Sequence, residues 1–129
     1  MPDYLDTSAF IKLVRSEPES RALRAELASG EALVSSVLLV VEGRRAAARY
    51  GAVALGRARA ALTTVTLLPI DESTLEAAAE LEPPVLRSLD ALHLATALSL
   101  AKDLGRVYCY DVRLSAAAAS LGLDVRQPR

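Results

Sequence analysis

Four acidic residues of this chain stand inside or at the edge of apolar stretches. They are Asp6 in YLDTSAF, Glu42 in VLLVVEGRR, Asp90 in LRSLDALHLATAL and Asp111 in VYCYDVRLS. An ionised carboxylate taken out of water without a partner is strongly disfavoured, so four together call for a compensating charge. A divalent cation shared among them is the simplest one. Oxygen-only donors suit a hard ion such as Mg²⁺ or Mn²⁺. A chain with one Cys and one His is poorly equipped for zinc. The chemistry this set supports is metal-assisted hydrolysis, in which a water is activated and charge on a phosphoryl oxygen is neutralised.

The elements that must carry these acids alternate between strand and helix. A short strand ends at Asp6, and Thr7 and Ser8 open a helix over residues 7–14. A second helix, from Glu17 or Pro18 to Ala28, is closed by Gly30. A strand over 32–35 follows, and Ser36 is placed to cap the helix carrying Glu42. Gly51 and Gly56 punctuate two helical pieces before a third strand over 66–69. Ser73 and Glu76 make a capping box for a short helix reaching residue 81, ended by Pro83 and Pro84. A long helix over 88–104 stops at Gly105, and a strand over 106–110 enters Asp111. The last helix covers 113–120, and a final strand covers 123–125. This alternation predicts an α/β fold with a mostly parallel sheet and helices on both faces. In such sheets ligands bind beyond the carboxyl ends of strands, where Asp6 and Asp111 stand.

Glu42 follows Leu38 by four residues and Leu39 by three, so it shares their inward face. Asp90 follows Leu86 by four and precedes Leu94 by four, which aims it inward from a helix apolar almost all round. Each acid also has a plain structural reading. Asp6 and Asp111 could cap the helices that follow them, and Glu42 could pair with Arg45 at i+3. Asp90, in mid-helix among leucines, has no cap to serve. Taken jointly, the four are better explained as one site.

The length of 129 residues fits a single domain, 1–129, with its own core. Apolar residues make up 52% but aromatics only 4%, which favours closely packed Ala-rich helices and leaves few platforms for stacking bases. With 15 basic and 16 acidic side chains the net charge is −1, so the chain lacks the overall basic footprint of a tight nucleic-acid binder. Any nucleic acid is held locally. Arg44, Arg45, Arg49, Arg57 and Arg59 cluster in sequence, and Arg15, Arg87 and Arg113 lie near the acidic motifs. Most read as solvated helix faces; Arg45 and Arg49, on or near the Glu42 face, are the better candidates to neutralise phosphate. The lone Cys109 excludes an internal disulfide and fits a reducing compartment. No cationic leader precedes an apolar run and no apolar segment reaches about 18 residues. A soluble, cytoplasmic protein without a membrane partner is expected.

Two other α/β classes fit poorly. A phospho-acceptor receiver domain wants adjacent acids after the first strand and a lysine on a late one, but Lys12 and Lys102 both fall in helices. A phosphatase with an aspartyl nucleophile wants a second Asp two residues after the first, where Ser8 stands.

At YLDTSAFIKL, VVEGRRAAARY, LDALHLATAL and YDVRLSAAAASLGLDV the chain resembles the PIN-domain family, and within it the toxin ribonucleases of VapBC toxin–antitoxin pairs. The resemblance runs nearly end to end. It implies a three-layer α/β/α sandwich around a mostly parallel four- to five-stranded sheet, a Mg²⁺- or Mn²⁺-dependent endoribonuclease, a homodimer and inhibition by a cognate antitoxin. Asp6, Glu42, Asp90 and Asp111 correspond one by one to the family's acids. Metal held by Asp6, Asp90 and Asp111 would support RNA hydrolysis leaving 5′-phosphate and 3′-hydroxyl ends. Glu42 could bind a second ion, bind water or act as general base. A catalytically weak PIN-like module acting through protein or RNA binding is the alternative; its hallmark would be a missing acid.

Family members often carry Thr or Ser where this chain has Cys109, and a thiol is the weaker hydrogen-bonding group. Weaker metal binding or some lost activity is the expectation. Thr7 or Ser8 could hold the Asp6 carboxylate, contact substrate or simply cap the helix. His93, three residues after Asp90, reads as a packed or supporting histidine more readily than as a catalytic one. An acidic pocket is open to blockage by an antitoxin arginine, with Phe10, Leu13 and Leu27 either lining the inhibitor's groove or packing in the core.

Overall fold

A computed structural model describes the whole chain, residues 1–129. The elements run β1 (Asp3–Leu5), α1 (Thr7–Val14), α2 (Ser20–Leu27), β2 (Leu33–Ser36), α3 (Leu38–Ala48) and α4 (Ala52–Leu62). They continue with β3 (Val65–Leu68), α5 (Glu72–Ala79), α6 (Ser88–Leu98), β4 (Arg106–Tyr108), α7 (Val112–Ser120) and β5 (Asp124–Arg126). The five strands form one sheet in the order β3-β2-β1-β4-β5, and every pairing is parallel. Tyr4 of β1 lies in register with Val34 of β2 and Val107 of β4. The winding runs outward from β1 in one direction and then resumes at β4 on its other side. The β1–β4 seam is therefore the switch point, where the two following loops part and leave a crevice.

Strand alternation builds two cores. Leu5 and Tyr108 face one side and pack with Phe10, Val14, Leu23, Leu39, Ala47 and Ala58 from α1 to α4. Tyr4, Val107 and Cys109 face the other and pack with Leu94, Ala97, Leu114 and Ala118 from α6 and α7. Period-two strands thus divide the helices into two layers, and the expected α/β/α sandwich is the observed architecture. No helix is long and apolar enough to cross a membrane.

Two glycines allow close approaches that matter here. A Cβ on Gly43 would lie 2.8 Å from Phe10 Cε2, so α3 can lie against α1 only because residue 43 has no side chain. A Cβ on Gly105 would lie 2.5 Å from Asp3 Oδ1. That carboxylate accepts the Arg106 backbone N–H at 2.7 Å and so sets the start of β4 beside β1.

Several boundaries differ from the sequence reading. The helix expected over 88–104 stops at Leu98, and after it Ala101 takes a positive φ of 48° at the start of a short 3₁₀ turn, Ala101–Asp103. The Ser73–Glu76 capping box does not form. Asp71 caps α5 instead, accepting the Thr74 backbone N–H at 2.8 Å and its hydroxyl at 2.9 Å, so the helix starts earlier and ends at Ala79. Strand β4 closes at Tyr108, two residues short of the expected end. Ser36 accepts the Leu38 backbone N–H at 3.1 Å, but Val37 occupies the cap position itself. Phe10 is fully buried in the core, with Leu13 and Leu27 packed against it; these residues hold the fold together, and Phe10 lines no groove.

Candidate active site

Asp6 leaves β1 and caps α1, its Oδ1 accepting the Ala9 backbone N–H at 2.9 Å. The cap is only part of its role. The Ser8 hydroxyl lies 2.7 and 2.9 Å from its two oxygens, and the Cys109 thiol donates to Oδ2 at 3.0 Å. Ser8 is anchored in turn by accepting the Tyr110 backbone N–H at 2.8 Å. Asp6 is only 3% exposed, and burial raises its carboxyl above the ordinary range despite these donors. Burial, followed by the charge of Asp6, also drives the Cys109 thiol well up. Cys109 is therefore a protonated donor that helps hold Asp6, in the place where a hydroxyl was expected to matter.

Glu42 and His93 meet above the end of β1. The Glu42 Oε1 accepts the Thr7 hydroxyl at 2.9 Å and lies 2.7 Å from His93 Nε2, which is also 3.2 Å from Thr7 Oγ1. The pairing of Glu42 with Arg45 is not made; an interlayer bond to α6 takes its place. Burial would raise Glu42, but the hydrogen bond and charge of His93, with the Thr7 hydroxyl, hold it below its ordinary value. On its other side, His93 Nδ1 lies 2.7 Å from the Tyr4 hydroxyl, whose oxygen accepts the Ser36 backbone N–H at 3.1 Å. The Tyr4 and His93 rings meet edge to face, with centroids 5.9 Å apart.

Asp90 lies in the first turn of α6, and so not in mid-helix as the sequence suggested. The helix N-terminus favours its charge there, yet the side chain is half-buried. Burial, then the charge of Asp111, then lesser contributions from Asp6 and Glu42 raise its carboxyl. Asp111 caps α7, accepting the Leu114 backbone N–H at 2.8 Å, and is exposed at the rim. The plain cap reading of Asp6 and Asp111 thus holds alongside any catalytic one.

The residues fit a hard cation by donor chemistry and by mutual repulsion, since three neighbouring carboxylates all disfavour the charge on Asp90. They are not drawn into a finished ligand set: no three of the acidic, Cys and His residues converge as a metal-holding group. The arginines singled out in sequence are all exposed, Arg45 and Arg49 included. Arg45 borders a shallow surface depression between α3 and α4 with Val40, Val41, Arg44, Ala48 and Leu55. Arg15 stacks over the Tyr50 ring at 3.9 Å. Tyr4 was missed in sequence. The available signal was that a buried tyrosine needs a partner for its hydroxyl, and that His93 is the only histidine.

The fold is an α/β/α sandwich that carries acids beyond the carboxyl ends of its parallel strands, and the PIN-domain model matches residues 4–119. The chain belongs to the PIN-domain family. Among curated relatives, it is 46% identical to ribonuclease VapC46 of Mycobacterium tuberculosis over 125 residues, 97% of this chain and 96% of the relative. In fold it is similar to the crystal structure of M. tuberculosis VapC20, a toxin that cleaves the sarcin–ricin loop, with a TM-score of 0.71 at 19% identity over 89% of this chain and 94% of that one. It is equally similar to a chain of a toxin–antitoxin complex from Klebsiella pneumoniae, with a TM-score of 0.71 at 22% identity over 98% of both chains.

Proposed function

We propose that this chain, a PIN domain of the VapC kind, is the endoribonuclease toxin of a toxin–antitoxin pair and hydrolyses RNA phosphodiester bonds with Mg²⁺ or Mn²⁺. Asp6, Asp90 and Asp111 would hold the ion, with Glu42 completing the acidic set. The observation that carries the reading is the bond between Glu42 and His93, which ties α3 to α6 across the end of β1, where Asp6 stands. Near-complete coverage of a curated ribonuclease supports the substrate class.

A divalent cation, when bound, supplies charge neutralisation for the phosphoryl oxygens and makes water more acidic. The chain's own residues do the rest. Ser8, the Ala9 N–H and Cys109 fix the Asp6 carboxylate. Glu42, kept ionised by His93 and Thr7, can take a proton from the attacking water. Arg45 and Arg49 offer positive charge to the RNA backbone on the exposed face of α3 and just beyond its end. Attack by water leaves a 5′-phosphate and a 3′-hydroxyl. The reading includes a homodimer restrained by a cognate antitoxin; a chain of a toxin–antitoxin complex is among the similar solved structures.

Purified protein incubated with transfer, ribosomal and messenger RNA should cleave in Mg²⁺ or Mn²⁺ and fall silent in EDTA. Asp6→Asn should lose more than about 100-fold. Cleavage that survives this substitution, or products ending in 2′,3′-cyclic phosphate, would rule the reading out.

A further inference from the structure

Glu42 is gripped by one oxygen only. Oε1 accepts the Thr7 hydroxyl at 2.9 Å and lies 2.7 Å from His93 Nε2, whereas Oε2 takes a hydrogen bond from no group of the chain. An ionised carboxylate can only accept, so His93 Nε2 must carry the proton between them. In a neutral ring Nδ1 is then an acceptor, and the Tyr4 hydroxyl, 2.7 Å away, is its donor. The Tyr4 oxygen is pinned from behind by the Ser36 backbone N–H at 3.1 Å. Protons thus point one way along the row, from strand β2 through Tyr4 and His93 to Glu42. His93 is 2% exposed and Tyr4 1%, so water does not compete for either end.

We propose that Tyr4 and His93 are positioning residues that hold Glu42 by Oε1 and leave Oε2 as the single oxygen it offers to the reaction centre. This rests on the ribonuclease reading and sharpens it. With Oε1 committed to two donors, Glu42 cannot chelate an ion through both oxygens without breaking the bond that joins the two helical layers. It works through one oxygen, as a monodentate ligand or as the base. A stitch that merely stabilised the fold would keep the same atoms close together, but its loss would lower stability without lowering kcat in the protein that remains folded.

The first test needs no catalysis. Because the chain has one histidine, long-range ¹H–¹⁵N NMR of the metal-free protein at neutral pH reads the His93 ring without assignment ambiguity. The Nε2–H neutral tautomer is expected in the wild type, and in Tyr4→Phe the same tautomer with its Nδ1 resonance shifted by loss of the tyrosine hydrogen bond. A Nδ1–H or doubly protonated ring in the wild type, or an unchanged ring in Tyr4→Phe, overturns the proposal.

The second test is a double-mutant cycle on RNA cleavage. Tyr4→Phe should lower kcat about 10-fold with KM for RNA unchanged, and His93→Leu about 10- to 100-fold, with much of the rate restored in His93→Gln, whose amide can still donate to Oε1. In a Glu42→Gln background, Tyr4→Phe should cost nothing further. Full additivity overturns the proposal while leaving the ribonuclease reading intact. A wild type that cleaves no RNA removes that reading instead, and the NMR result alone then decides whether Tyr4 and His93 orient Glu42.

Discussion

His93 Nε2 lies 2.7 Å from Glu42 Oε1, although the two side chains come from helices on opposite faces of the sheet and stand 51 residues apart in the chain. The bond lies beside Thr7, just beyond the end of β1, and is backed by Tyr4 from the second core. It makes the site a bridge between layers, so changes in helix packing register directly in the placement of the acids.

Removing repulsion should stabilise the metal-free protein. Asp90 has its carboxyl raised by burial and then by Asp111, so its favourable contribution exists only when protonated and is lost as pH rises through the raised value. At neutral pH Asp90→Asn should therefore increase the melting temperature in EDTA, by roughly 2–4 °C. The gap should close below about pH 4, where Asp is protonated in the unfolded chain as well. Added Mn²⁺ should stabilise the wild type and not the variant. Calorimetric scans across pH check both statements.

Glu42 has the opposite sign. Its lowered carboxyl contributes stability above the ordinary Glu value, and that contribution is lost as pH falls through the lowered one. Glu42→Gln should accordingly destabilise the protein at neutral pH, in contrast to Asp90→Asn, in the same calorimetric series.

Cys109 should behave as a donor and be inert as a nucleophile. Its buried, strongly raised thiol predicts no labelling by iodoacetamide at pH 8 until the protein unfolds, as mass spectrometry would show. Cys109→Ser should raise Mn²⁺ affinity about two- to fivefold, because a hydroxyl donates more strongly to Asp6, while Cys109→Ala should lower it. Titration calorimetry separates the two.

Gly43→Ala should damage the site through packing. The gain in helix propensity, about 1 kcal/mol, is opposed by a methyl 2.8 Å from the Phe10 ring, an overpacking worth about 1–3 kcal/mol. The net result is a less stable protein with α3 displaced from α1 and Glu42 drawn off Thr7. Phe10→Leu in the same chain should recover part of both stability and cleavage.

Arg45→Ala and Arg49→Ala should each weaken RNA binding about three- to tenfold and reduce the slope of log affinity against log salt by about 0.7. Binding isotherms at several salt concentrations test this without requiring cleavage.

The acids were legible because charge inside an apolar run is anomalous at the level of single residues, and the parallel sheet was legible because strands and helices alternate. Asp90 was read as mid-helical although the expected helix start, residue 88, is the observed one; the leucines on either side of the acid hid that it stands in the first turn. The overlong reading of that helix has another cause, since Ala101 adopts a conformation that composition does not announce. Asp71 displaced the expected capping box because its carboxylate reaches both the backbone and the hydroxyl of Thr74. Tyr4 and His93 could not be joined from sequence. Their contact spans 89 positions and leaves no periodic trace.

The strand order also sets the timing of assembly. Strand β1 begins at Asp3, but its neighbour β4 begins only at Arg106, and the thiol that completes the Asp6 cradle follows at Cys109. During synthesis the first four-fifths of the chain carries Asp6 without its central partner strand. The Asp6 carboxylate therefore acquires its Cys109 donor only once a residue 103 positions further along the chain has been made and has joined the sheet.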